Sequence, residues 1–459
     1  MPPLSFQPIQ TLQLPAGSMP SDVAIGDFDH DGRPDLAVAE RGLNRVGLYR
    51  SGPTAGSFLS APMATVATGT APVSLVAVPL DRQTTANESD DLVVLSADQA
   101  HLQTFVNAHT PGQAAFAAGR FSYLSATGLF TRPRLHAAYI DTDPHIDVAT
   151  IKDSFQNAGL STVTPFATRT HVSIGTVTTT VGLPTDMALA DISGQGRLDA
   201  LLVQPLQGNV LVMFNPGQTP LYSTGRSISI PALGPSPTCV AAGDVDGDGR
   251  ADVAIGNAAS EVVLQLITYT LQGGFLFSTP LRVATGAAPR QVLLQDLTGD
   301  GRPELVVLTA AGQLRVYRHN GGAYPACFEA PQLLPTGLDP TSLRLADVDG
   351  DNRPDLLVAC AGDHTVRVYG NTTQPLAAKS AHLAALTLYP NPATDRLRVQ
   401  VPAGTEPLTA TFTDALGRVL GTQTVPPSGE LHAGQLPRGL CFVRLHNGLG
   451  SITRRVVLR

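Results

Sequence analysis

The sequence predicts an all-β protein, a seven-bladed β-propeller followed by a small C-terminal β-sandwich. Three observations lead to this prediction. An acidic nine-residue loop recurs along the chain, a short apolar run typical of a buried strand follows each clear copy, and the pattern changes near residue 372. The chain has 459 residues with 44 glycines and 37 prolines, which fits a turn-rich repeat protein better than one small domain.

The acidic loop is clearest at residues 244–252, which read Asp-Val-Asp-Gly-Asp-Gly-Arg-Ala-Asp. Carboxylates at positions 1, 3, 5 and 9 repel one another in a compact loop, and a divalent cation removes that repulsion. Calcium, which takes about six to eight oxygen ligands in a flexible shell, suits this spacing best. Gly249 at position 6 supplies the backbone conformation that lets the loop fold back on the ion. The stretch is therefore predicted to bind calcium.

Two further stretches have the same spacing. They are residues 27–35, with a glycine at position 6, and residues 347–355, where Asn352 takes that place. An EF-hand would have a glutamate at position 12 and continue into a helix, whereas position 12 here lies in an apolar, strand-like run. We therefore expect calcium loops within β-hairpins. The candidate carboxylate ligands are Asp27, Asp29, Asp31, Asp35, Asp244, Asp246, Asp248, Asp252, Asp347, Asp349, Asp351 and Asp355.

Weaker copies complete the series. Residues 191–199 and 139–147 keep some of the acids, and Asp91 occupies position 9 of a copy whose loop has been lost. The first positions of the copies then fall about fifty residues apart, which indicates seven units in a closed or stacked array. In the copy at residues 296–304, the candidate ligands are Asp296, Asp300 and Glu304.

Each unit also has the same order of strand-like segments. In the first unit, an inner strand leads into the loop, the apolar run 36–39 follows it, and further strands are predicted at 45–49 and 58–67. Four antiparallel strands in about fifty residues describe a propeller blade. The seventh unit has three strands, and the segment 6–14 has the register of a missing fourth. Pairing 6–14 with 365–369 would close the ring and remove two exposed edges.

These repeats resemble the FG-GAP/VCBS family, which forms the calcium-bearing blades of integrin α-subunit heads and of many bacterial surface proteins. The resemblance covers residues 4–371. It implies that the loop joins the first and second strands of a blade, so that all metal ions lie on one face. It also implies that positions 1, 3, 5 and 9 supply side-chain oxygens. Position 7, which is Arg33, Arg250 and Arg353 in the three clear copies, would supply a backbone carbonyl.

A second domain is predicted after a linker at residues 372–384. Residues 385–459 contain short alternating strands separated by turns, which suggests a small β-sandwich. A Tyr-Pro-Asn-Pro opening, an Asp-x-x-Gly-x-Val centre, a Leu-Pro-x-Gly lead-in and a basic tail occur there in that order. This order resembles the C-terminal sorting domain of type IX secretion substrates. The resemblance implies contact with the secretion machinery and a secreted or outer-surface location.

Composition narrows the possible partners. The net charge is −7 and the chain has no strongly basic stretch, so nucleic-acid binding is not expected. No apolar run is long enough to span a membrane. The four cysteines show no metal-binding or disulfide-scaffold spacing. The protein is also expected to be a monomer. The first residues lack a signal-peptide pattern, so we expect a mature or truncated chain, or an unusual export route.

No catalytic set can be nominated from the sequence. The eleven histidines form none of the familiar catalytic motifs, and the chain has no tryptophan to act as a carbohydrate platform. The leading hypothesis is a non-catalytic binding or adhesion protein with a protein or glycan ligand, recognised by loops at 152–160 and 360–364. One alternative is an extracellular enzyme such as a polysaccharide lyase or hydrolase, and another is a propeller that acts only as a spacer.

Overall fold

The computed structural model describes most of the chain, and these residues contain strands and no α-helix. The only helical segment among them is a 3-10 turn at Arg41–Leu43. The all-β class predicted from the sequence is therefore confirmed. The described residues are 4–79, 90–97, 101–108, 111–117, 120–123, 134–138, 140, 146–152, 158–164, 173–179, 184–217, 222, 227–269, 274–373, 386–389, 393–400, 408–414, 419–426, 428–436, 439–447 and 450–458.

The chain divides into two compact units. The larger unit consists of Ser5–Leu297 and Arg302–Thr372, and the smaller one of Met1–Leu4, Thr298–Gly301 and Thr373–Arg459.

The described residues of the larger unit form seven four-stranded antiparallel sheets and one two-stranded sheet. The chain enters through β1 (Phe6–Gln13), which belongs to the last sheet. The strands of the first three sheets are β2 (Pro20–Gly26), β3 (Asp35–Glu40), β4 (Arg45–Tyr49) and β5 (Ala64–Ala67); β6 (Pro72–Val78), β7 (Asp91–Ser96), β8 (His101–Phe105) and β9 (Arg120–Tyr123); and β10 (Leu135–Ala138), β11 (Asp147–Lys152), β12 (Ala158–Thr164) and β13 (Ser173–Thr179).

The remaining sheets repeat this order, and the two-stranded sheet β21–β22 is inserted within the fifth. Their strands are β14 (Met187–Ala190), β15 (Asp199–Gln204), β16 (Asn209–Met213) and β17 (Ser227–Pro231); β18 (Pro237–Gly243), β19 (Asp252–Asn257), β20 (Glu261–Gln265), β21 (Ile267–Tyr269), β22 (Phe275–Phe277) and β23 (Leu281–Ala284); β24 (Pro289–Gln295), β25 (Glu304–Thr309), β26 (Gln313–Tyr317) and β27 (Gln332–Pro335); and β28 (Pro340–Ala346), β29 (Asp355–Cys360) and β30 (Thr365–Asn371).

The N-terminal strand completes the last sheet, as the sequence predicts. β1 pairs antiparallel with β30, from Phe6 opposite Asn371 to Gln13 opposite Thr365, and the sheet order is β1-β30-β29-β28. Leu12 of β1 is fully buried in a cluster that also contains residues of the first sheet. The first and last sheets therefore share one apolar layer, and the strand edge of β30 is covered.

The core of the larger unit lies between neighbouring sheets. In six of the sheets every residue of the second strand is buried, as for Asp35–Glu40 and Asp355–Cys360, because both faces of the sheet pack on neighbours. The first strands also bond to one another: Ser21 Oγ donates to the Pro72 carbonyl at 2.7 Å, and Thr341 Oγ1 donates to the Pro20 carbonyl at 2.8 Å. First strands at the centre and sheets stacked face to face define a β-propeller.

The smaller unit contains two sheets. One has the order β31-β32-β35 and the other β34-β33-β36-β37. Leu431 of the first sheet and Phe412 and Val443 of the second are fully buried in one cluster, so the unit is a β-sandwich. Its strands are β31 (Thr387–Tyr389), β32 (Arg396–Gln400), β33 (Thr409–Asp414), β34 (Val419–Thr424), β35 (Glu430–His432), β36 (Gly439–Asn447) and β37 (Gly450–Leu458). In neither unit do the described residues include a helix of the length and apolarity needed to cross a bilayer.

Candidate metal centres

Three groups of carboxylates come together in the loops between first and second strands. Each consists of the aspartates at positions 1, 3 and 5, and in each group three side-chain oxygens, one per residue, lie within 4.8 Å of one another. We call these groups the aspartate triads. The sequence predicted all nine residues, and the triads are Asp27, Asp29 and Asp31; Asp244, Asp246 and Asp248; and Asp347, Asp349 and Asp351.

Each triad is held by hydrogen bonds from its own backbone. In the fifth-sheet loop, one carboxylate oxygen of Asp244 accepts the N–H groups of Gly247 at 2.7 Å and Asp248 at 3.1 Å, and the other accepts that of Gly249 at 2.8 Å. Gly249 has a φ of 86°, in the left-handed region that the turn requires. Asn352 adopts 65° at the same position of the last loop, so asparagine fills this place as expected.

The acid at position 9 has a separate role that the sequence analysis did not identify. Asp355 is fully buried, and its two oxygens accept backbone N–H groups from Val348 at 2.9 Å and Asn371 at 2.7 Å. The first donor is position 2 of the loop, and the second is the last residue of β30. The carboxylate thus ties the loop to the third strand of its sheet. We call this arrangement the carboxylate clamp.

The clamp, or the half of it that the structure describes, recurs in every four-stranded sheet of the larger unit. The position-9 acid accepts the N–H group of the position-2 residue, an N–H group near the end of the third strand, or both. A signal was present in the sequence, because position 9 stays acidic even where positions 1, 3 and 5 do not. The other clamps are Asp35 with Phe28 and Ser51, Asp91 with Asn107, Asp147 with Ile140, Asp199 with Ile192 and Asn215, Asp252 with Val245 and Ile267, and Glu304 with Leu297 and His319.

Crowding and burial make these carboxylates difficult to ionise. Burial, followed by the charges of neighbouring triad aspartates, raises the pKa of Asp35 and of Asp252 to about 7 and that of Asp355 to about 6. Burial also raises the pKa of Asp246 and Asp351 within the triads. A cation at each loop would oppose these shifts, since a positive charge favours the ionised carboxylates.

The first loop differs from the other two by a built-in positive charge. Arg50 Nε lies 2.6 Å from Asp29 Oδ2, and the Asp29 side chain is fully buried. Arg50 directly follows β4. When the sheets are aligned by the pairing of their second and third strands, the positions equivalent to Arg50 are Leu266 in the fifth sheet and Gly370 in the last, and neither residue is charged. Asp90, which directly precedes β7, accepts the Asp27 N–H at 3.1 Å. Arg50 thus partly neutralises the first triad within the protein itself.

The arginines at position 7 fix the backbone of the loop. In all three loops the backbone N–H of this arginine donates to the position-5 carboxylate at 2.9 Å. Arg33 also donates to the Gly52 carbonyl, and Arg353 to that of Asn371 at 3.2 Å. Both carbonyls lie just after or at the end of the third strand, so the side chains reinforce the clamp.

The weaker copies keep the turn without a complete triad. In the fourth loop Asp191 accepts the N–H groups of Gln195 at 2.9 Å and Gly196 at 2.6 Å, although Ser193 and Gln195 replace two aspartates. In the sixth loop Glu304 forms the clamp, and Asp296 and Asp300 are not part of any of the three triads.

Several expectations concern positions outside the described residues. Asp141 and Asp143 of the third loop and positions 153–157 of the expected ligand loop belong to this group. The second expected ligand loop is described: Gly362 donates to the Leu338 carbonyl at 2.9 Å, and His364 has a φ of 55°.

Comparison with known families supports this architecture. The profile described as an FG-GAP-like repeat matches residues 191–255 and 296–358, and that of the FG-GAP repeat matches residues 19–53. The profile of a secretion system C-terminal sorting domain matches residues 387–459. The chain is a secreted or surface repeat protein with a β-propeller fold. More specifically, it is an FG-GAP repeat protein that carries a type IX secretion C-terminal sorting domain, as the sequence resemblance predicted.

A solved structure shows similarity at the level of the fold. A crystal structure of BBS1N in complex with ARL6DN, soaked with lead, is 13% identical, with a TM-score of 0.51 over 81% of this chain and 97% of that chain. A protein from Lactobacillus plantarum is 16% identical, with a TM-score of 0.47 over 70% of this chain and 86% of that chain. No curated protein matches the chain.

Proposed function

We propose that this protein is a secreted or cell-surface binding protein whose propeller is stabilised by calcium and presents a non-catalytic surface to a protein or glycan. The observation that carries the proposal is the set of three aspartate triads, each with three side-chain oxygens within 4.8 Å and each in the same type of loop. The proposed organisation is a propeller at 1–371, a linker at 372–384 and a sorting sandwich at 385–459. The protein is proposed to act as a monomer and to meet the secretion machinery through the sandwich.

The chemistry of the triads supports calcium as the ion. Every candidate side-chain donor is a carboxylate oxygen, the ligand type that hard divalent cations prefer, and no sulfur or imidazole donor belongs to a triad. Calcium accepts more ligands and less regular geometry than magnesium, which suits a flexible loop of backbone and carboxylate oxygens. Extracellular modules of this kind bind calcium with dissociation constants of roughly 10⁻⁴ to 10⁻³ M, so occupancy would follow the medium. The full proposed ligand set adds the position-9 acids, the position-7 carbonyls and the sixth loop.

Binding is supported over acid–base catalysis by the way the buried acids are used. Both oxygens of Asp252 accept backbone N–H groups at 2.9 Å, and Asp355 is held in the same way. Carboxylates fixed to the backbone on both oxygens serve to hold the loops rather than to transfer protons to a substrate. The loops and turns at the ends of the sheets are the exposed regions available for recognition.

The proposal is tested by measuring calcium uptake and ligand capture on the same protein. Asp248→Ala should lower the calcium stoichiometry of the full chain by one, measured by isothermal titration calorimetry after treatment with EDTA. Gln195→Ala is the matched control, since Gln195 occupies position 5 of the fourth loop, which lacks a complete triad, and it should leave the stoichiometry unchanged.

A glycan and matrix-protein array probed with and without calcium then tests the binding function. Capture of a defined ligand that weakens in EDTA would support it. No uptake of calcium, or turnover of an array polysaccharide by the purified chain, would contradict the proposal.

A further inference from the structure

A cavity of about 420 Å³ lies among the first strands of the propeller sheets. Its described walls come from β2, β6, β10 and β28, with Leu189 of β14 and Leu198 of the fourth loop. Most wall residues are aliphatic, and Ile25, Val76 and Leu345 are among those that keep accessible surface. The volume falls within the range of about 300–1,000 Å³ that is usual for small-molecule sites. We call it the axial cavity.

Two polar side chains, His136 and Arg344, interrupt these apolar walls among the described residues. Arg344 forms a two-point ion pair with Asp22, with Nε to Oδ1 at 2.9 Å and Nη2 to Oδ2 at 2.5 Å. The hydroxyls of Ser74 and Ser342 donate to the same carboxylate at 2.6 Å each. Asp22 is thereby fixed on one edge of the guanidinium group.

The other edge of Arg344 remains available. A guanidinium group has five N–H donors, and the described residues accept two of them, both through Asp22. The Arg344 side chain is 24% exposed, although the residue lines a cavity at the centre of the propeller. Its three remaining donors suit a planar anion, because guanidinium and carboxylate match in geometry.

His136 supplies a second unsatisfied group. Its Nε2 is buried and has no hydrogen-bond partner among the described residues. Burial, and then the charges of Arg344 and Arg134, lower the pKa of His136 to about 3, so the ring is neutral and one nitrogen can donate to a ligand. Buried polar atoms are rarely left unpaired, which suggests that a bound molecule completes this site.

The balance of charge limits the class of ligand. Arg344 is paired with Asp22, and Arg134 Nε lies 3.8 Å from Asp186 Oδ1, so the four charged groups sum to zero. Because these charges cancel, a doubly charged phosphate would leave two uncompensated negative charges in the cavity and a monocarboxylate only one, whereas a cation would face the N–H groups on the open edge of Arg344. A single negative charge on an aliphatic body matches both the polar pair and the apolar walls.

We propose that the axial cavity binds a small aliphatic monocarboxylate, with its carboxylate on the open edge of Arg344 and on His136 Nε2, and its hydrocarbon chain against Ile25, Val76 and Leu345. The site depends on groups distinct from the aspartate triads, and it is independent of the proposed calcium-dependent function. Binding removes the apolar chain from water and satisfies the unpaired imidazole nitrogen.

The test uses the full chain and hexanoate as the probe, with hexanol and inorganic phosphate as comparison probes, followed by ligand-observed NMR and calorimetry. Hexanoate should bind at least about tenfold more tightly than hexanol, since the alcohol lacks the second oxygen and the charge. His136→Phe, which keeps a ring in place but removes the nitrogen, should weaken hexanoate binding about tenfold.

A second variant separates loss of the site from loss of the fold. Ala137 lines the cavity and is exposed, so Ala137→Leu should fill part of the space and weaken hexanoate binding without replacing a buried group. Ala310→Leu is the matched control, since Ala310 is exposed in the turn between β25 and β26 and does not line the cavity. Equal affinity for hexanoate and hexanol, tighter binding of phosphate, or unchanged binding in Ala137→Leu would each overturn the proposal.

Discussion

The carboxylate clamp can be tested where no complete triad accompanies it. In the fourth sheet Asp199 is fully buried and accepts the N–H groups of Ile192 at 3.1 Å, Ser193 at 2.9 Å and Asn215 at 2.9 Å. Asp199→Asn preserves shape but replaces one oxygen by an NH2 group, so at least one buried N–H must face another donor. An unsatisfied buried group costs about 1–3 kcal/mol, and the remaining bonds lose their charge. We therefore expect a loss of about 2–4 kcal/mol in the free energy of unfolding.

Urea denaturation followed by circular dichroism, in calcium and in EDTA, measures this loss. The clamp predicts the same loss in both conditions, because the fourth loop lacks aspartates at positions 3 and 5. Asp248→Asn in the fifth-sheet triad is the comparison, and its effect should appear only with calcium. A loss below about 0.5 kcal/mol in Asp199→Asn, which is typical of surface substitutions, would refute the reasoning, as would a loss confined to calcium.

Three further predictions concern the ion and the ring. Arg50→Leu should tighten calcium binding at the first loop, because the guanidinium group, 2.6 Å from Asp29, repels a second cation there. Weaker or unchanged calcium binding in calorimetry would contradict this prediction. Leu12→Ala should cost about 2–5 kcal/mol, since Leu12 is fully buried between the first and last sheets, and an unchanged urea midpoint would argue against closure by β1. The gain in melting temperature from calcium should grow between about pH 5 and pH 8. The pKa of Asp35 is raised to about 7 and that of Asp355 to about 6, so without calcium the contribution of these carboxyl groups to stability is lost as pH rises through those values. Calcium favours the ionised carboxylates and should offset this loss. A calcium gain that is independent of pH would be inconsistent with this assignment.

The aspartate triads and the closure of the ring by β1 could both be predicted from the sequence. The triads follow from aspartates two residues apart and a position-6 residue that tolerates positive φ, all within one short loop. Closure by β1 was also predictable, because one unit lacked a fourth strand and the chain began with a segment of matching register. The residues of each triad are neighbours in the sequence as well as in the structure. For β1, very few strands were candidates for its partner.

Features that join distant segments could not be predicted in this way. The second donor of the clamp lies 16 residues beyond the acid, as for Asp355 and Asn371, and it is identified only when the strand register is known. Asp22 and Arg344 are separated by 322 residues and meet because the first and last sheets adjoin. Neither residue belongs to a recognisable motif, so their pairing and the axial cavity beside it became visible only in the structure.

The repeats separate two uses of acidic residues within one loop. Position 9 is acidic in all seven four-stranded sheets of the larger unit, and every such acid accepts at least one backbone N–H group, whereas complete triads occur in three loops of the described residues. The fourth loop keeps its turn through Asp191 and its clamp through Asp199 without a triad. The clamp therefore accounts for the shape of the hairpin, and the triad adds an ion to a turn that is already formed. It follows that sheets can lose their metal ligands while keeping their place in the ring, since the bonds that fix the loop to the third strand come from position 9.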